Sequence, residues 1–114
     1  MHMKVLGFIP ARSGSKGVKD KNIKLLNGIP LIRYTAAIAQ EAKQRGLLQD
    51  VIVSTDSRHY LETLADANEH PNYIRPKSLA GDEAPTIDAL LHALDWHEKQ
   101  FGSHFDAVMT CSQQ

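Results

Sequence analysis

The chain has 114 residues and balances 13 Lys+Arg against 13 Asp+Glu, with 42% hydrophobic residues. That length carries one domain, and that apolar share builds a core, which excludes a disordered chain. A single cysteine, Cys111, excludes an internal disulfide framework and a cysteine-rich zinc site. No apolar run approaches the roughly 20 residues of a membrane span, and no signal peptide is legible, so a cytoplasmic protein without a membrane partner is expected.

Val5-Leu6-Gly7-Phe8-Ile9 is a nearly continuous apolar run. It reads as a strand buried on both faces, the pattern of a central parallel strand, and Pro10 ends it. Ala11 to Asn22 is rich in Gly, Ser and Lys and reads as a loop. A turn at Gly28 follows, with Pro30 at a first helical position. Leu31, Tyr34, Ile38 and Ala42 then recur at helical spacing, and Gly46 is the expected stop. Val51-Ile52-Val53-Ser54 is a second buried strand. Asp56 is expected to cap a helix carrying Tyr60, Leu61, Leu64 and Ala65 on one side. Tyr73-Ile74 reads as a short third strand. Ile87, Leu90, Leu91 and Leu94 make the stripe of an amphipathic helix. Asp106-Ala107-Val108-Met109 begins a fourth strand. Strands alternating with helices imply βαβ units: a three-layer α/β/α, Rossmann-like fold with a mostly parallel sheet.

The neutral total hides a local imbalance. Arg12, Lys16, Lys19, Lys21 and Lys24 stand within thirteen residues that hold one acid, Asp20. The rest of the chain has 8 basic and 12 acidic residues, so an excess of four positive charges sits in this one segment. A basic cluster in a neutral protein points to a small anionic ligand rather than to nucleic acid.

Ligands of open α/β sheets bind beyond the carboxyl ends of the strands, where the loop Pro10 to Gly17 leaves the first one. Gly14 and Gly17 let backbone N–H groups converge on an anion. Arg12, Lys16 and Lys21 add charge, as a planar fork or as point charges. The loop matches neither the Walker A pattern nor GxGxxG. On charge alone a solvated basic turn explains it equally well; its place at the strand end favours binding.

Ile9-Pro10-Ala11-Arg12-Ser13-Gly14-Ser15-Lys16-Gly17, Lys21-Asn22-Ile23-Lys24 and Asn27-Gly28-Ile29-Pro30-Leu31-Ile32 together resemble the opening of the acylneuraminate cytidylyltransferases, the CMP-sialic acid synthetases. The resemblance continues through Val51-Ile52-Val53-Ser54-Thr55-Asp56 and resumes at Arg75-Pro76, Leu79-Ala80, Asp82 and Asp88 to Leu94. It implies a nucleotide-diphospho-sugar transferase fold and transfer of CMP from CTP to the anomeric hydroxyl of an N-acylneuraminate-type nine-carbon keto acid, with release of pyrophosphate. Ala11, Arg12, Ser13, Ser15 and Lys16 would then hold CTP, partly through backbone N–H groups. Lys21 would sit near the α-phosphate and share the catalytic role with Arg12. Asn22 would bond near the ribose and phosphate, and Arg75, Ala84 and Thr86 would meet the base and sugar. Without the resemblance, Arg75 reads as a surface residue and Thr86 as a helix cap.

Asp56 tempts as a metal ligand, but the capping role is favoured, and Asp82 and Asp88 are equally ambiguous. His59, His70, His92, His97 and His104 show no ligand spacing and read as surface or packing residues. Trp96 reads as core or interface, and Cys111 as inert. The family continues after Met109 with a Leu-Gln-Pro-Thr-Ser-Pro type of segment, whereas this chain reads Thr110-Cys111-Ser112-Gln113-Gln114. The codons CTG-CAG-CCA-ACA for Leu-Gln-Pro-Thr, read one base later, give Cys-Ser-Gln and then His or Gln. The hypothesis is a frameshifted, truncated cytidylyltransferase whose 1–114 are the CTP-binding half; DNA beyond the last codon with no continuation in any frame would sink it. The fold would then be incomplete at its C-terminus; the resemblance implies that the Mg²⁺ ligands and much of the sugar pocket lie outside this chain, and a homo-oligomer is expected to cover the exposed sheet edge. The competing readings are an inactive nucleotide-binding or structural fragment, and a cytidylyltransferase for legionaminate or pseudaminate.

Overall fold

The computed structural model describes residues 3–13, 25–26, 29–81 and 83–111. At its centre is β1 (Val5–Pro10), flanked by β4 (Asp50–Ser54) and β5 (Ala107–Thr110). All three strands are parallel, in the order β4-β1-β5. Phe8 stands opposite Ile52 on one side and Thr110 on the other. Two residues each of β2 (Leu25–Leu26) and β3 (Ile29–Pro30) form a small antiparallel pair. The expected turn at Gly28 lies between them, outside the described residues.

Because side chains alternate across a strand, the two faces of the sheet build two cores. Ile9, Val51 and Val53 pack with Ile32, Ala36 and Ala39 of α1 (Leu31–Gln44) and with Tyr60 and Leu64, in and just past α2 (Arg58–Thr63). On the other face Leu6, Phe8 and Ile52 meet Tyr73 and, from α3 (Thr86–Phe101), Ala89 and Ala93. Helices on both faces explain why the strands read as continuous apolar runs rather than as alternating ones. Gly7 admits Leu48 to the sheet: a Cβ there would stand 2.8 Å from Leu48 Cδ1.

Helix boundaries follow local chemistry. Pro30 is the N-cap of α1, one position earlier than expected. Gly46, with φ +80°, ends α1 as expected. Its N–H bonds the Lys43 carbonyl at 3.0 Å and the Leu47 N–H bonds that of Ala42 at 2.9 Å, the two bonds of a Schellman motif. Gly102 (φ +65°) closes α3 by donating to the Glu98 carbonyl at 2.7 Å.

The buried stripes differ from the expected ones. In α1 they are Ile32, Ala36 and Ala39, leaving Ile38 70% exposed. In α3 they are Ala89, Ala93 and His97, while Ile87 and Leu91 are exposed. Small residues let a helix approach the sheet closely, so alanines rather than the largest apolar side chains mark the inner face. Tyr73-Ile74 is not a strand. The segment touches the end of β4 through one backbone bond, Arg75 N–H to Thr55 O at 2.8 Å, and Pro76 has no N–H to extend a ladder. No helix among the described residues is long and apolar enough to cross a membrane.

Candidate functional site

Beyond the carboxyl ends of β1 and β4 the chain brings together Ala11, Arg12 and Ser13 with Ser54, Thr55 and Asp56. Ala11 is buried and its N–H donates to the Ser54 carbonyl at 2.9 Å, carrying the strand pairing one residue into the loop. The Asp56 carboxylate then takes hold of that loop. Ser13 N–H donates to Oδ1 at 2.9 Å and the Ser13 hydroxyl to Oδ2 at 2.8 Å.

Asp56 therefore does not cap α2, contrary to expectation. Ser57 does, accepting the Tyr60 N–H at 3.2 Å, while Asp56 reaches across the sheet edge. Partial burial disfavours its charged form, but donation from Ser13 and from its own N–H, with the nearby Arg75 charge, outweighs this and holds the carboxyl below its ordinary range.

Arg75 is buried rather than on the surface. Its Nε donates to Ser54 Oγ at 2.8 Å and Nη2 to the Ser54 carbonyl at 3.1 Å, with a longer bond from Nη1 to the Leu79 carbonyl at 3.4 Å. Burial lowers the guanidinium's proton affinity, and the neighbouring positive charge of Arg12 lowers it further; Tyr73 and Asp56 oppose both.

Ala84 is half-buried and its N–H bonds the Gly81 carbonyl at 3.1 Å. Thr86 is the exposed first residue of α3; the N-cap position belongs to Pro85 and has no side-chain cap, so the capping alternative fails. Ser15, Lys16, Lys21, Asn22 and Asp82 lie outside the described residues. Cys111 is half-buried and burial pushes its thiol up, the opposite of a reactive thiolate. Trp96 packs beside Tyr73, in keeping with a core role.

Among the described residues, Asp56 is the one carboxylate bound into this edge, and both of its oxygens already accept from Ser13. Mg²⁺ asks for several oxygen ligands in near-octahedral geometry, so these residues alone do not fit it.

A family model described as cytidylyltransferase matches residues 6–96. The chain belongs to the cytidylyltransferase family. Among similar proteins, an N-acylneuraminate cytidylyltransferase of Escherichia coli O18:K1:H7 is 39% identical over 94 residues, covering 82% of this chain and 22% of the relative. A CMP-N,N'-diacetyllegionaminic acid synthase of Legionella pneumophila is 33% identical over 107 residues, covering 94% of this chain and 44% of the relative. A pseudaminic acid cytidylyltransferase of Campylobacter jejuni is 32% identical over 98 residues, or 86% and 41%. The chain thus spans less than half the length of these relatives. The parallel sheet between helix layers is consistent with part of a Rossmann-like cytidylyltransferase fold.

Sequence reasoning missed one constellation. It dispersed the histidines, yet His70 and His97 both reach Asp50, at the start of β4. They are 27 positions apart in the chain, and no local spacing announces them.

Proposed function

We propose that this chain is the CTP-binding portion of an enzyme that transfers CMP to the anomeric hydroxyl of an N-acylneuraminate-type nine-carbon keto acid. The hydroxyl oxygen would attack the α-phosphorus in line, the bond from α-phosphorus to the bridging oxygen of pyrophosphate would break, and the hydroxyl proton would be lost. Positioning and charge neutralisation carry most of such a reaction. Arg12 supplies charge at the strand edge, and Lys16 and Lys21, which follow it in sequence, would add to it. Ser13 and Asp56 fix the start of the loop, and Arg75 braces the end of β4. A Mg²⁺ ion at the CTP phosphates would take its ligands from outside this chain, and the cytoplasm is the proposed compartment.

The observation that carries the reading is the clamp of Asp56 on Ser13, which fixes the chain just beyond β1 at the carboxyl edge of a parallel sheet, immediately before the lysine-rich stretch of the sequence. The test has two readouts on this chain: calorimetric binding of CTP against ATP, GTP and UTP, and pyrophosphate release from CTP with N-acetylneuraminate. CTP binding with no preference over the other triphosphates would overturn the nucleotide assignment. Replacing the acceptor by legionaminic or pseudaminic acid tests the sugar.

A second reading, a nucleotide-binding fragment without activity, is favoured by one observation: the matched region covers 22% to 44% of its relatives. Binding of CTP without pyrophosphate release, together with release by a chain extended to a relative's length, would establish it.

A further inference from the structure

The amino end of the sheet, opposite the nucleotide edge, carries a second cluster of chemistry. Asp50 opens β4 there. His70 Nε2 lies 2.8 Å and His97 Nε2 2.6 Å from the same oxygen, Asp50 Oδ2. The other oxygen, Oδ1, accepts the Val51 N–H at 2.8 Å and Lys43 Nζ at 3.1 Å. The side chains of Asp50, His70 and His97 are 14%, 10% and 5% exposed. Phe101 and Phe105 pack their rings 4.7 and 5.1 Å from that of His97, and Trp96 stands 5.8 Å from His70. Two imidazoles and a carboxylate, from three separate segments, therefore converge in an apolar surround.

One donor atom from each residue lies within 4.8 Å of the others. His97 Nδ1 contacts Ser103 Oγ at 2.5 Å, so the ring is held from behind with Nε2 aimed at the cluster. Metal-bound histidines are supported in this way, their second nitrogen being tied to an oxygen. A cleft of about 350 Å³ is bordered by Asp50, His97, Ser103, His104 and Lys4.

We propose that Asp50 Oδ2, His70 Nε2 and His97 Nε2 form a binding site for a divalent transition-metal ion of the zinc type, with its fourth position open to the cleft. Two nitrogens and one carboxylate oxygen suit Zn²⁺ or Co²⁺, whereas Mg²⁺ and Ca²⁺ prefer oxygen alone. Asp50 Oδ1 keeps its bonds from Val51 N–H and Lys43 Nζ, which leaves Oδ2 for the ion. Binding needs each imidazole hydrogen on Nδ1. On His97, Nδ1–H then donates to Ser103 Oγ, and each Nε2 lone pair turns to the metal.

Tetrahedral bonds of about 2.0–2.1 Å place donors roughly 3.3 Å apart. The metal would therefore open the present hydrogen bonds of 2.8 and 2.6 Å by roughly 0.5 and 0.7 Å. Lys43 and Lys4 oppose a cation here. Lys43 is itself partnered by Glu69, which also adds negative charge nearby. A bound ion would pin the start of β4, the segment at His70 and the last turns of α3 at an end of the sheet remote from the nucleotide edge.

The test titrates chelator-treated, tag-free chain with Zn²⁺ by calorimetry and with Co²⁺ by visible absorption, using Mg²⁺ as the comparison. The expected result is one ion per chain, tetrahedral Co²⁺ bands, no response to Mg²⁺, and a Tm raised by about 10 °C at a hundredfold excess over Kd. His70→Gln and His97→Gln should each weaken binding at least about 100-fold, beyond the usual effect of losing a mere supporting group. His59→Gln should leave it unchanged. Should His97→Gln fail to fold, imidazole nitrogen resonances of the unaltered chain decide: Nε2 of both His70 and His97 must move on adding Zn²⁺. Absence of stoichiometric binding, or binding that neither glutamine variant weakens, overturns the site.

Discussion

The clamp of Asp56 on Ser13 is the contact most open to quantitative test. Asp56→Asn preserves shape and removes the charge. The carboxylate now receives two hydrogen bonds, of 2.9 and 2.8 Å, both charge-assisted. Bonds to charged groups contribute about 1.5–3 kcal/mol and neutral ones about 0.5–1.5, so weakening the pair removes roughly 2–3 kcal/mol. Asp56 is only part-buried, and solvent screening reduces this to about 1–2 kcal/mol. Urea unfolding followed by circular dichroism measures it as a fall in midpoint at unchanged slope. The pH dependence fixes the cause. The folded-state carboxyl lies below its ordinary value of 3.8, so its stabilisation is complete above that value and is lost as pH falls through the folded one. The difference between the unaltered chain and Asp56→Asn should therefore be constant near neutrality and shrink below about pH 4. Equal stabilities at pH 7, or a difference that persists undiminished at pH 2, would refute the clamp.

Arg75→Lys keeps the charge but replaces a fork that serves Ser54 Oγ and the Ser54 carbonyl with a single point donor. The cost expected is about 1–3 kcal/mol, read as a lower Tm, with weaker CTP binding in the same sample. Gly46→Ala puts a Cβ at φ +80° in otherwise open space, so strain alone acts, costing about 1 kcal/mol in urea unfolding. Self-association through β5, whose outer side pairs with no strand among the described residues, is expected in sedimentation; Met109→Lys on this edge should shift the chain towards monomer.

What the sequence made legible was set by how local the causes are. Val5 to Ile9 and Val51 to Val53 are short, nearly continuous apolar runs, the pattern of strands covered on both faces. Gly46 and Gly102 stop helices through backbone geometry that belongs to a single residue. Asp56 was misread because two short-range capping residues stand side by side; which of them caps depends on a partner, Ser13, 43 positions away. The stripes of α1 and α3 were misjudged because periodicity ranks side chains by hydrophobicity, whereas close packing against a sheet selects alanine.

The two ends of the sheet bring these lessons together. At the carboxyl end the signal was a run of basic residues close together in sequence, beginning at Arg12, the kind of local clustering that composition alone reveals. At the amino end the cluster consists of single residues from a strand start, an irregular segment and a helix. Each of them has an ordinary structural explanation where it stands. Only the parallel register and the packing of α3 across the sheet bring Asp50, His70 and His97 within 4.8 Å of one another. A site assembled by topology leaves no motif, so its first sign is a buried carboxylate whose partners are both imidazoles.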